Sequence, residues 1–146
     1  MGEHMAEKIL IVDDDVETLR LVGLMLQRQG YEIASASNGA QALSMAQREM
    51  PDLIVLDVMM PDMDGFEFCR KIRKDERTSH IAVLLVTALG SREHELEGLS
   101  HGADDYITKP FDLMILQTKV ENILSVRQSL KQKYTSEILL QPRNVI

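Results

Sequence analysis

The sequence has a single cysteine, Cys69, so no intramolecular disulfide can form and the chain suits a reducing, cytoplasmic compartment. No apolar run approaches the roughly 18 residues that a membrane-spanning helix needs. The formal charge of −7 leaves no cationic excess, which excludes non-specific nucleic-acid binding by this segment but not by a domain joined to it. A phosphate-binding glycine loop, internal repeats and low-complexity stretches are all missing. So is a secretory leader, because the start has no charged segment followed by an apolar one. Met1-Gly2-Glu3-His4-Met5 reads as a cloning remnant, with the natural start near Met5.

What is present is enough for one core. The 146 residues are 45% hydrophobic, well above the composition of a disordered chain. Three apolar runs, Ile9-Leu10-Ile11-Val12, Leu53-Ile54-Val55-Leu56 and Val83-Leu84-Leu85-Val86, have the length and β-branching of strands buried on both faces. Tyr31 to Ser35 and Asp105-Tyr106-Ile107 fit edge strands. Between them, Leu19, Val22, Met25 and Leu26 form a helical stripe, and Leu96 and Leu99 lie three apart in a helix starting near Ser91. Asn38 with Gln41, and Asp64 with Glu67, have the spacing of capping boxes, and a last helix is expected from Asp112.

A strand–helix pair repeated five times implies a doubly wound α/β fold with a five-stranded parallel sheet. With strands one, three and four central, the order is 2-1-3-4-5. The crevice where the chain reverses direction, at the carboxyl ends of strands one and three, is where such folds bind ligands.

Acidic residues converge on that crevice. Asp13-Asp14-Asp15 follows strand one and Asp57 follows strand three. Carboxylates forced together repel unless a cation intervenes, and a hard divalent ion such as Mg²⁺ accepts such oxygens while keeping room for phosphate. An acidic pair after a strand also serves as a helix N-cap, the reading preferred for Asp15. Two further strand ends discriminate. Thr87 offers a hydroxyl beside the small Ala88, and Lys109 is held by Pro110 through a bond that can be cis. Asp13, Asp14 and Asp57 bring three negative charges, and Mg²⁺ with Lys109 brings three positive ones.

The segments Ile9 to Asp15, Leu56 to Gly65, Val86-Thr87-Ala88 and Tyr106 to Phe111 resemble those of response-regulator receiver domains, over roughly Lys8 to Leu124. The resemblance implies a flavodoxin-like switch that takes a phosphoryl group onto Asp57 from the phosphohistidine of a sensor kinase or a phosphotransfer protein, with Mg²⁺ as cofactor. Asp14 would bind the metal directly, Asp13 mainly through water, and Asp57 and the Met59 carbonyl would complete the set. Lys109 and Thr87 would engage phosphoryl oxygens, with Ala88 and Tyr106 counted among the residues beside the bound group. Tyr106 would change rotamer on the face of the fourth helix, fifth strand and last helix. Pro61 and Gly65 would shape the loop after Asp57. Met59 and Leu89 would overhang the path of a hydrolytic water.

Two other readings share parts of this pattern. A haloacid-dehalogenase-type phosphatase shares an Asp-x-Asp after its first strand, but it normally carries Thr or Val where Glu17 stands, and it would leave Asp57 unexplained. A pseudo-receiver used only for docking usually lacks an acid, the Thr or the Lys. His80, His94 and His101 show no metal-ligand spacing and read as surface residues; Cys69 reads as packing. Residues 6–127 are expected to form the domain, and 128–146 a helical extension toward an output domain outside this sequence. Leu113, Leu116, Val120, Ile123, Leu130 and Tyr134 trace a short seam, interrupted by Arg127, that suits a homodimer.

Overall fold

In the computed structural model, which describes residues 6–88, 92, 96–97 and 101–140, strands and helices alternate. They run β1 (Lys8–Val12), α1 (Val16–Arg28), β2 (Glu32–Ala36), α2 (Gly39–Glu49), β3 (Leu53–Asp57), α3 (Gly65–Lys74), β4 (Ala82–Ala88), β5 (Asp105–Lys109) and a C-terminal helix, Leu113–Leu140. Arg92, Leu96 and Glu97, between β4 and β5, are helical. The expectations for Leu89, Ser91, His94, Leu99 and residues 141–146 lie outside the described residues, as does the Tyr134 side chain.

The sheet is parallel throughout, in the order β2-β1-β3-β4-β5. Its period-two alternation divides the core. Leu10, Val12, Ile54, Leu56, Val83 and Leu85 face a layer containing Ala42 and Ala46 of α2 and Phe68, Cys69 and Ile72 of α3. Ile9, Ile11, Leu53, Val55, Leu84 and Val86 face Val22 and Leu26 of α1 with Leu116, Val120 and Leu124 of the C-terminal helix. Every residue of β3 is buried, as the uninterrupted apolar run requires, whereas edge strand β2 is largely half-buried or exposed.

Several boundaries differ from the sequence reading. β2 begins at Glu32 instead of Tyr31, because Glu32 is the residue that pairs with Lys8 at the start of β1. Asp57 and Lys109 are the last residues of their strands and do not follow them, and β4 runs one residue past Thr87. In each case the parallel ladder supplies partners further than the apolar run extends: Asp57 pairs with Val86 and Ala88 with Lys109. The C-terminal helix starts one residue after Asp112, whose carboxylate accepts the Met114 N–H at 2.7 Å.

Asn38 and Asp64 cap α2 and α3 by accepting the N–H groups of Gln41 and Glu67, both at 2.8 Å. The return half of the box at α2 is displaced by one residue, since the Gln41 side-chain oxygen accepts from Ser37 N–H, not from Asn38. His80 is exposed, and His101 is half-buried with its ring centroid 6.2 Å from that of Phe66. Cys69 is fully buried and its thiol is pushed up to about 12 by burial, as packing rather than reactivity demands. The C-terminal helix passes through Arg127 without a break. No helix among the described residues is long and apolar enough to cross a membrane.

Candidate functional site

The parallel register brings the carboxyl ends of β1, β3, β4 and β5 to one edge of the sheet, and each delivers a polar group there. Asp13, one residue past β1, is buried, its N–H donating to the Ala36 carbonyl at 3.2 Å. Asp14 is exposed. Asp15 turns away to cap α1, accepting from Glu17 N–H at 3.1 Å and from the Thr18 hydroxyl at 2.8 Å. Asp57 closes β3 and is 7% exposed. Carboxylate oxygens of Asp13, Asp14 and Asp57 lie within 4.8 Å of one another.

Lys109 spans two of them. Its Nζ donates to Asp13 Oδ2 at 3.0 Å and to Asp57 Oδ2 at 3.2 Å; the Lys109–Pro110 peptide is cis. The other Asp57 oxygen accepts the Met59 N–H at 3.1 Å. Burial is the largest influence on Asp57 and, helped by the charge of Asp13, holds its carboxyl above the usual aspartate range against the opposing pull of Met59 N–H and Lys109. Burial works against the charge on Lys109, but the hydrogen bond to Asp13 and the charges of Asp57 and Asp13 outweigh it, so its amine is held above the usual lysine range.

Thr87 completes the floor. It is 0% exposed, and its hydroxyl has no hydrogen-bond partner among the described residues. Leaving a buried hydroxyl unsatisfied costs about 1–3 kcal/mol, so such a group points to something that visits the site. Around it lies a cavity of about 510 Å³, lined by Thr18, Asp57, Met59, Thr87, Ala88, Lys109, Pro110 and Phe111. Tyr106 does not line this cavity. It borders a separate depression with Ile115 and Lys119, whose ammonium sits 5.7 Å from the centre of the tyrosine ring. A larger groove of about 720 Å³ opens at the amino ends of the strands, but its Arg73, His80, Asp104 and Lys131 mix both signs of charge, and the converging acids lie elsewhere.

The donor set fits a hard divalent cation. Three carboxylates against one ammonium leave the site short of positive charge, and all the side-chain donors are oxygens, which suit Mg²⁺ and not a soft metal. The acidic cluster could therefore hold a metal ion.

The sequence reading did not single out Thr18 or Phe111 as part of the site. Thr18 lies in the first turn of α1, beside the Asp15 cap, and Phe111 follows Pro110; both signals were present in the capping pattern and the Lys-Pro step.

Comparison with known proteins places this arrangement. Residues 9–121 match the family model described as the response regulator receiver domain. The chain is 46% identical over 119 residues to the response regulator PleD of Caulobacter vibrioides, an alignment covering 82% of this chain and 26% of PleD. The chain thus spans about a quarter of that relative. Among solved structures, the chemotaxis response regulator CheY4 of Vibrio cholerae superposes with a TM-score of 0.77 at 34% identity, covering 82% of this chain and 99% of CheY4. A BeF3-activated DrrB receiver domain superposes with a TM-score of 0.75 at 39% identity, covering 83% and 99%.

Proposed function

Since the chain belongs to the response-regulator receiver family of two-component signalling, we propose that it is a phosphoacceptor switch whose acceptor is Asp57. The observation that carries this reading is the convergence of Asp13, Asp14, Asp57, Lys109 and the unpartnered Thr87 hydroxyl at one sheet edge. A haloacid-dehalogenase chemistry at Asp13 has no support beside this family match. A docking-only role does not explain why the acids, the threonine and the lysine are all retained.

A carboxylate oxygen of Asp57 attacks the phosphorus of a sensor-kinase or phosphotransfer-protein phosphohistidine in line with the P–N bond. That bond breaks, its electron pair stays on the imidazole nitrogen, and the product is an acyl phosphate. Asp13, Asp14, Asp57 and the Met59 carbonyl would hold Mg²⁺, which when bound supplies positive charge for the transferring oxygens and cancels repulsion among the carboxylates. Lys109, whose Nζ already donates to Asp13, would take a phosphoryl oxygen. Thr87 has a free hydroxyl to donate to another. Ala88 leaves room beside it. The aspartyl phosphate carries up to about two negative charges where Asp57 carried one. Drawing Thr87 toward that charge would vacate space for Tyr106 to turn inward, and the face of the C-terminal helix and β5 would report the event. A DrrB receiver described as BeF3-activated indicates that this fold accepts a phosphoryl mimic. Residues 6–127 would act as the switch, and the helix beyond would lead to an output unit.

Incubation with acetyl phosphate should place an acid-stable, base-labile label on the chain only when Mg²⁺ is present. Asp57→Ala should fold and take up none. Equal labelling of that variant would remove Asp57 as the acceptor.

A further inference from the structure

The loop that joins Asp57 to α3 carries Met59 at its exposed outer turn, and its inner ends are well fixed. Val58 N–H donates to the Val86 carbonyl at 3.0 Å, and Gly65 N–H closes back on the Val58 carbonyl at 3.0 Å. A Cβ on Gly65 would stand 2.9 Å from Val58 Cα, so the two ends of the loop pass in contact. Asp64 is occupied in capping α3. Between these ends, Met59, Pro61 and Asp62 are exposed.

Asp62 gives this outer turn a lateral anchor. Its Oδ1 accepts Gly39 N–H at 2.9 Å and its Oδ2 accepts Ala40 N–H at 3.0 Å, across 23 and 22 residues of sequence. These are first-turn donors of α2, which the local cap Asn38 leaves open because its own side chain takes Gln41 N–H. The two N–H groups, Gly39 first, hold the Asp62 carboxyl below the usual aspartate range, so it bears a full charge at a helix start that favours one. Contact follows the hydrogen bonds: a Cβ on Gly39 would lie 2.8 Å from Met63 Cβ. Helix α2 is itself seated in the core by Ala42 and Ala46. A rigid helix thus holds the loop from the side.

We propose that Asp62 is a positioning residue for the cation site, fixing the turn that presents the Met59 carbonyl by tying it to the start of α2. The inference rests on the reading of Met59 as a metal ligand. Groups that orient ligands without touching the metal typically contribute about 10-fold or more to affinity. Isothermal titration with Mg²⁺ alone, on the full chain, tests this. Asp62→Ala should bind Mg²⁺ about 10-fold more weakly. Asp62→Asn, which keeps one acceptor, should fall between Asp62→Ala and the parent. Asn38→Ala removes a cap from the same helix without touching the loop, so it should bind as the parent does, and urea midpoints of the two alanine variants provide the comparison of stability. Parent-like affinity in Asp62→Ala, or an equal loss in Asn38→Ala, would overturn the proposal. Asp14→Ala separates the two readings: if it too leaves Mg²⁺ binding unchanged, the metal site fails and the positioning role falls with it, whereas if it alone weakens binding, only the role of Asp62 is lost.

Discussion

At the scale of single residues, the burial of Asp57 carries a cost in stability. Asp57 is held above the usual aspartate range chiefly by burial, so the folded protein tolerates its charge less well than the unfolded chain does. Below the ordinary aspartate value of 3.8 the carboxyl is protonated in both states and nothing is lost. As pH rises the unfolded chain releases the proton first; stability falls until the folded group has ionised as well, and the penalty then persists to neutral pH. Asp57→Asn should therefore have a higher urea midpoint than the parent at pH 7 in EDTA, an advantage that fades below about pH 4. Lys109 keeps Asp13 as a partner in that variant. An equal or lower midpoint at pH 7 would mean that the ion pair with Lys109 outweighs burial. Met59 permits a second expectation. Its side chain is 64% exposed yet lines the cavity, an apolar thioether with little to offer a hydrolytic water. A phosphoryl group on Asp57 should persist for many minutes or longer, and Met59→Asn/Leu89→Glu should lose it about ten-fold faster, equivalent to about 1.4 kcal/mol of barrier. Loss of label within seconds in the parent, or no acceleration in the variant, would discard the shielding idea.

At the scale of elements, α3 does more than cover the sheet. Arg73, near its end, donates to the carbonyls of Ser79 (3.0 Å), Ile81 (2.6 Å) and Gly102 (2.7 and 3.0 Å) and to Asp104 Oδ2 at 3.2 Å. One planar fork thus joins the turns that precede β4 and β5, and Gly102, at φ +98°, lies so close that a Cβ would meet the Arg73 side chain at 3.0 Å. Arg73→Ala removes the Arg73 donors from two partly buried carbonyls, those of Ile81 and Gly102, and should cost about 2–3 kcal/mol in urea unfolding. Arg73→Lys should recover less than half, since an ammonium cannot reproduce the fork. Full recovery by lysine would reduce the clamp to a charge effect. Nothing in local sequence signals this residue, because its acceptors are backbone groups from other parts of the chain.

At the scale of the whole molecule, the C-terminal helix changes environment along its length. Leu116, Val120 and Leu124 are buried, whereas Val126 and Leu130 are 59% and 61% exposed. An isolated helical segment of this size is marginal in water, so the exposed stretch suits a second helix. With Ile115 also exposed at the depression beside Tyr106, we expect beryllofluoride with Mg²⁺ to shift the chain toward a dimer, read by light scattering at high micromolar concentration. A monomer with and without the mimic would exclude both surfaces. A dimer without it would assign association to the helix alone.

The sequence by itself determined the fold class and the strand order, because buried parallel strands must be continuous apolar runs, and it marked four polar groups at or near the ends of those runs. Asp13, Asp57, Thr87 and Lys109 were legible for that reason, and Asn38 and Asp64 because a cap acts over three residues. Tertiary structure alone decided that Lys109 joins Asp13 to Asp57, that the Thr87 hydroxyl is left without a partner, that Tyr106 stands outside the cavity, and that Asp62 and Arg73 bind backbone far away in sequence. Periodicity records which side of a strand or helix is apolar. It carries no record of which distant N–H or carbonyl a side chain meets once the sheet has been assembled, and the finer geometry of this site is made of such meetings.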